Sequence, residues 1–168
     1  MEDDALKGQG KGDVTRFTEV DQAPDAQFFI EFLDAANALP GVRDLKTVIV
    51  DELRLSPGAR VLEVGCGTGD DARLLAALVG QDGRVVGIDA SEAMIGVAQG
   101  RSIDSSLPVE FALGDVLALN YPDDVFDACR CERVLMHADG DPARGEVVAQ
   151  FPRGRETART GTARSAPP

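Results

Sequence analysis

The sequence predicts an α/β fold built on a parallel sheet, and three observations carry that prediction. Short apolar runs that read as strands (Arg60 to Val64, Arg84 to Asp89, Pro108 to Leu113 and Val125 to Cys131) alternate with segments of helical character. A glycine turn, Gly65-Cys66-Gly67-Thr68-Gly69, follows the first strand and runs into a helix. The second strand ends in an acid, Asp89, twenty positions after Gly69. Strands separated by helices pair in parallel through right-handed crossovers. Glycines at Gly65, Gly67 and Gly69 let the chain turn sharply and let a ligand lie against bare main chain. Open α/β sheets hold nucleotide-like cofactors at that place, the carboxyl end of the first strand.

Residues 1–24 are polar, rich in Asp, Gly and Lys, and read as a flexible N-terminal segment. Asp25 to Leu39 reads as a helix, with Phe28, Phe29, Phe32, Leu33 and Ala36 recurring at helical spacing. Pro40-Gly41 breaks it, and Val42 to Leu55 reads as a second helix with Leu45, Val48, Ile49 and Leu53 on one stripe. Asp70 to Gly80 is helical, with Leu74, Leu75 and Leu78 inward. Ser91 caps a helix running to about Arg101, with Met94, Ile95 and Ala98 inward. A further helix starts near His137.

The 168 residues are enough for one domain with a core, and 43 % hydrophobic with 27 % charged is ordinary globular usage. No apolar run approaches a membrane span, and the start of the chain has no apolar signal core. The three cysteines, Cys66, Cys129 and Cys131, lack metal-ligand spacing and read as reduced thiols, Cys129 and Cys131 on one strand face. No metal is expected, and a cytoplasmic location follows as the default. A net charge of −12 argues against a nucleic-acid substrate, which needs clustered Lys and Arg. A small-molecule partner and no membrane association are the expectation.

Two kinds of ligand compete for the glycine turn. A dinucleotide uses Gly-x-Gly-x-x-Gly and sets its pyrophosphate on a helix N-terminus. Here the third position of that spacing is Asp70, and Asp71 follows. Two carboxylates there repel a pyrophosphate, while they suit an empty helix dipole. A cofactor with an adenosine and no phosphate avoids the conflict, and S-adenosyl-L-methionine is such a molecule. Asp89 carries two readings at this point: an acceptor for ribose hydroxyls, or a cap for the helix that starts near Ser91.

Taken together, Val61 to Gly69, Asp89, Gly114-Asp115 and Phe126-Asp127 resemble the class I S-adenosylmethionine-dependent methyltransferases. The similarity spans about residues 56 to 137 and is nearest to the bacterial small-molecule group that includes ubiquinone and menaquinone biosynthesis methyltransferases. It implies a Rossmann-like sheet in the order 3-2-1-4, preceded by two helices, in a transferase that carries out methylation of a small-molecule acceptor.

The same resemblance assigns roles. Glu63 lies near the cofactor's amino-acid end, with a buried acid bonded to loop amides as the structural alternative. Gly65, Cys66, Gly67 and Gly69 form the backbone cradle. Asp89 holds the ribose, with Ala90 and Met94 beside the adenine. Asp115 bonds the adenine amine and the Val116 amide meets a ring nitrogen, although an acid after a strand also forms turns. Carbonyls of Cys131-Glu132-Arg133 face the methionine portion, or Glu132 and Arg133 pair on the surface. His137, the single histidine, is the candidate for a catalytic base; the alternative is a cap or a solvated residue.

After Met136 the family pattern stops. From Asp139 there are four acids and five arginines, a net +1 that leaves −13 on the preceding 138 residues. Gly, Pro, Thr, Ser and Arg dominate, and no segment there buries a strand's worth of surface. The expectation is a partial methyltransferase domain over 25–138, its later strands missing, and a disordered or non-native tail over 139–168. An open sheet edge on the fourth strand, with Val134 and Leu135, then invites self-association. The alternatives to methyl transfer are a non-catalytic cofactor-binding remnant and, further off, an NAD-binding oxidoreductase.

Overall fold

The computed structural model describes residues 16–119, 121–122 and 124–132. Four strands, β1 (Arg60–Val64), β2 (Arg84–Asp89), β3 (Val109–Leu113) and β4 (Ala128–Cys131), form one parallel sheet in the order β3-β2-β1-β4. Helices α3 (Asp70–Val79) and α4 (Glu92–Gly100) are the crossovers from β1 to β2 and from β2 to β3. The order is the one the sequence implies, and β1 and β2 begin and end at the expected residues. β4 is shorter than expected and starts at Ala128. The residue before it is clamped to β1: Arg60 donates its amide to Asp127 Oδ2 at 2.9 Å, and Asp127 N donates to the Arg60 carbonyl at 2.8 Å.

One sheet face packs Val61, Val85 and Phe111 against Ala72, Leu75, Ala76 and Val79 of α3 and Ile95 and Ala98 of α4. The other face gathers Leu62, Val64, Val86, Ile88 and Cys129, with Cys131, Val116 and Phe126 beside them. Cys129 and Cys131 therefore do share one face. Burial pushes the Cys129 thiol up, away from thiolate chemistry.

The inward face of α3 differs from the expected one. Leu74 and Leu78 are exposed, and the buried stripe is Ala72, Leu75, Ala76 and Val79. Leu75 is inward as expected, and Ala72, Ala76 and Val79 complete the stripe against Val61 and Val85.

Two helices precede the sheet, α1 (Ala26–Ala38) and α2 (Pro40–Glu52). Asp25 caps α1 by accepting from Gln27 N at 3.0 Å. Pro40 is the first residue of α2 rather than a spacer before it, a position where the missing N–H costs nothing. Half of the expected α2 stripe is inward, since Ile49 and Leu53 are buried. Leu45 and Val48 are more than half exposed, and the buried positions are Lys46, Ile49, Val50 and Leu53. Residues 16–24 are not the loose segment expected. Phe17–Gln22 form a 3-10 helix whose Val20 is buried with Phe29, Ile30 and Met94. Phe17 meets Phe29 edge-on at 5.1 Å between ring centroids. The expectations for His137, Arg133, Val134, Leu135 and the tail over 139–168 concern residues outside the described ones.

Candidate functional site

The carboxyl ends of β1, β2 and β3 meet at the glycine turn. Gly65, Gly67 and Gly69 all have positive φ, at 70°, 52° and 80°. The turn is hooked to β2 through Gly65 N and Cys66 N, which donate to the Ile88 carbonyl at 2.8 and 2.9 Å. Gly69 is required twice over: its φ is left-handed, and a Cβ there would lie 2.7 Å from the Phe111 ring. At Gly67 a Cβ would stand 3.2 Å from a Leu33 methyl, so α1 lies over the turn. The Cys66 side chain is buried, and burial raises its thiol pKa first, with the Asp89 and Glu63 charges adding to it.

Asp89 bridges both sides of this turn. Its Oδ2 accepts from Gly67 N at 2.8 Å and its Oδ1 from Ser91 N at 3.0 Å. Burial raises its pKa, against the pull of the Ser91 and Gly67 amides. Ser91 caps α4 by accepting from Met94 N at 3.2 Å. Asp21 joins that cap, taking the Ser91 hydroxyl at 2.6 Å and the Glu92 and Ala93 amides at 2.7 and 3.1 Å. Partial desolvation raises its carboxyl, and these three contacts outweigh it and hold the pKa below the usual range. The 3-10 helix is thus tied to the β2 tip, a tie that local sequence does not reveal.

Other predicted residues fall at the same end. Ala90 is exposed beside Asp89. Asp115 is exposed just beyond β3, where Gly114 N donates to the Asp89 carbonyl at 2.9 Å, and Val116 is half-buried. Cys131 closes β4 beside the Leu62 face. Met94 lies inward on α4, as its helical spacing implies. It is 2 % exposed and packed among Val20, Phe29 and Ile30, so the N-terminal helices seal it.

Glu63 is 2 % exposed. It does not bond loop amides as the structural alternative had it. Its Oε1 accepts from Arg130, its partner across the β1–β4 register, and its Oε2 has no hydrogen-bond partner among the described residues. Burial pushes the Glu63 carboxyl up to about 8; Arg130 opposes the rise, and the Asp71 charge adds to it.

Arg130 is the residue that the sequence reading missed. It is the largest fully buried side chain among the described residues and binds Glu63, Glu132 and, at 3.0 Å, Asp71. Asp71 also takes Lys46 Nζ at 2.7 Å, and Lys46 donates to Asn37 Oδ1 at 2.7 Å. Asp70 is held by Arg73 at 2.6 Å, by the Thr68 hydroxyl at 2.7 Å and by Asn37 at 3.2 Å. The acids at the start of α3 are therefore already partnered, and the electrostatic case against a pyrophosphate loses much of its force. Glu63 is left with a buried oxygen that has no partner among the described residues, and such a group calls for a donor or a cation.

The methyltransferase-domain family profile matches residues 61–153, more than half of the chain. The chain belongs to that family. It is 49 % identical over 74 residues to a 2-phytyl-1,4-naphtoquinone methyltransferase of Synechococcus elongatus, covering 43 % of this chain and 32 % of that protein. It is 40 % identical over 122 residues to a 37.1 kDa transposon protein of Streptomyces fradiae, covering 72 % and 34 %. A SAM-dependent methyltransferase from Geobacter sulfurreducens, solved with S-adenosyl-L-homocysteine, superposes with a TM-score of 0.52 at 27 % identity over 65 % of this chain and 43 % of that one. The chain spans about a third of the length of these curated relatives.

Proposed function

We propose that this chain binds S-adenosyl-L-methionine at the tips of β1 to β4 and serves methyl transfer to a small-molecule acceptor. The observation that carries the reading is Glu63 Oε2, a buried and unpartnered carboxylate oxygen beside a cradle of left-handed glycines. A positively charged amino-acid end fits that oxygen, and a dinucleotide's phosphates do not.

Gly65, Cys66, Gly67 and Gly69 provide the main-chain cradle. Asp89 keeps the turn shaped and has lone pairs left for ribose hydroxyls. Ala90 borders the adenine, Asp115 takes its amine, and the Val116 amide meets a ring nitrogen. The Cys131 carbonyl faces the methionine portion. Bound there, the cofactor would supply a methyl group on a sulfonium, already activated for transfer. The chain's task is to hold two reactants in line, which is worth on the order of 7–11 kcal/mol of barrier in favourable cases.

Small acceptors fit the names of the relatives, one acting on a naphthoquinone and others on phosphoethanolamine. No helix among the described residues is long and apolar enough to cross a membrane. Incubation with methyl-labelled cofactor and acceptors of these two kinds tests the reading. Label in an acceptor is the expected result. Absence of both label transfer and cofactor binding contradicts it, and binding without transfer supports a cofactor-binding chain with no turnover of its own.

A further inference from the structure

We infer that Arg130 is a positioning residue: it fixes Glu63 for the amino-acid end of the cofactor and ties that carboxylate to the α1–α2 cover. The inference rests on the cofactor reading above and deepens it.

The geometry is a chain of buried polar contacts with Arg130 at its centre. One guanidinium nitrogen binds Glu63 Oε1, which leaves Oε2 as the free oxygen. The other reaches Glu132 and Asp71 Oδ2. Asp71 Oδ1 then takes Lys46 of α2, which in turn holds Asn37 of α1. Five elements, β4, β1, α3, α2 and α1, are joined through these groups, and Arg130 is 1 % exposed. Arginine suits the place because its planar fork serves several carboxylates at fixed angles, whereas a lysine ammonium is a single point charge. Without Arg130, Glu63 would lose its anchor and turn away from the ligand, and Asp71 would retain Lys46 alone among the two cations.

The consequence is selective. The adenosine end is held by Asp89 and the glycine turn, outside this network, so a loss at Arg130 is felt at the amino-acid end only. Two probes separate the ends: S-adenosyl-L-homocysteine, which carries the amino acid, and 5′-methylthioadenosine, which lacks it. Affinities are measured by calorimetry on the full chain and on Arg130→Met and Arg130→Lys. For Arg130→Met, S-adenosyl-L-homocysteine binding is expected to weaken tenfold or more, with 5′-methylthioadenosine unchanged within twofold. Arg130→Lys keeps the charge and is expected to lose threefold to tenfold for the first ligand alone. If Arg130→Met does not fold, Arg130→Lys decides.

An equal loss for both ligands would make Arg130 merely structural, and unaltered S-adenosyl-L-homocysteine affinity in a folded variant would overturn the inference. If the unsubstituted chain binds neither probe, the cofactor reading itself fails, and this inference with it.

Discussion

Asp89 Oδ2 accepts the Gly67 amide at 2.8 Å, so the acid at the tip of β2 shapes the glycine turn that follows β1. Its other oxygen takes the Ser91 amide at the entry to α4. The two readings of Asp89 are therefore not exclusive. The carboxylate braces both flanks, and the ribose contact proposed above adds to that role without replacing it.

Asp89→Ala is accordingly expected to cost stability as well as affinity. Hydrogen bonds to a charged group contribute roughly 1.5–3 kcal/mol each. S-adenosyl-L-homocysteine affinity should fall about tenfold or more, since a 1.4 kcal/mol loss is about tenfold. Calorimetry and thermal melting check both effects. A variant that melts like the parent and keeps its dissociation constant would show that Asp89 does neither job.

Gly69→Ala tests the tightness of the turn. A Cβ there would sit 2.7 Å from Phe111, at a φ of 80°. The expected cost is about 1–2 kcal/mol for the left-handed conformation and about 1–3 kcal/mol for overpacking. Denaturant unfolding should report it. Gly67→Ala, with only a Leu33 methyl at 3.2 Å, should destabilise less.

Much of this architecture was legible in the chain, and the gaps have physical reasons. β1 and β2 are short apolar runs with sharp ends, so their limits read directly. The faces of α2 and α3 did not. Leu45, Val48, Leu74 and Leu78 are apolar and recur at helical spacing, yet the inward stripes hold Lys46 and alanines. A lysine looks like a surface residue until its partners Asp71 and Asn37 are placed. Arg130 was missed for a similar cause: a charge between Cys129 and Cys131 looks like a solvent-facing position. The available signal was that parallel strands are buried on both faces, so the residue opposite the cysteines is also inside and needs a counter-charge. The contact of Asp21 with α4 spans some seventy positions and has no local signature.

Glu63 makes stability depend on pH. The carboxyl ordinarily ionises at 4.5 and is pushed up to about 8 in the folded chain, chiefly by burial. Between those values the native state holds a proton that the unfolded state has released. The contribution of this group is therefore complete below about 4.5 and is lost as pH rises toward 8. Binding of a cationic amino-acid end requires the carboxylate, so it should release a proton and tighten with rising pH across the same window. Titration in buffers of different ionisation enthalpy measures that release. A Glu63→Gln chain that keeps the full pH dependence would contradict the assignment.

Lys46→Met should loosen α1 and α2 from the start of α3. Breaking one side of a buried pair typically costs roughly 3–5 kcal/mol. The cost here should be smaller, because Arg130 remains 3.0 Å from Asp71. Denaturant unfolding of the variant gives the number, and a loss near zero would mean that the cover is held by Val20, Phe29 and Ile30 without this ion pair.

The central claim is that the cradle and Glu63 select an adenosyl cofactor with a charged amino-acid end. Calorimetric titration of the full chain with S-adenosyl-L-homocysteine and, separately, with NAD tests it most directly. S-adenosyl-L-homocysteine is expected to bind and to stabilise the chain by about 2.7 kcal/mol at a hundredfold excess over its dissociation constant, with no response to NAD. Tight NAD binding with no response to the adenosyl ligand would contradict it.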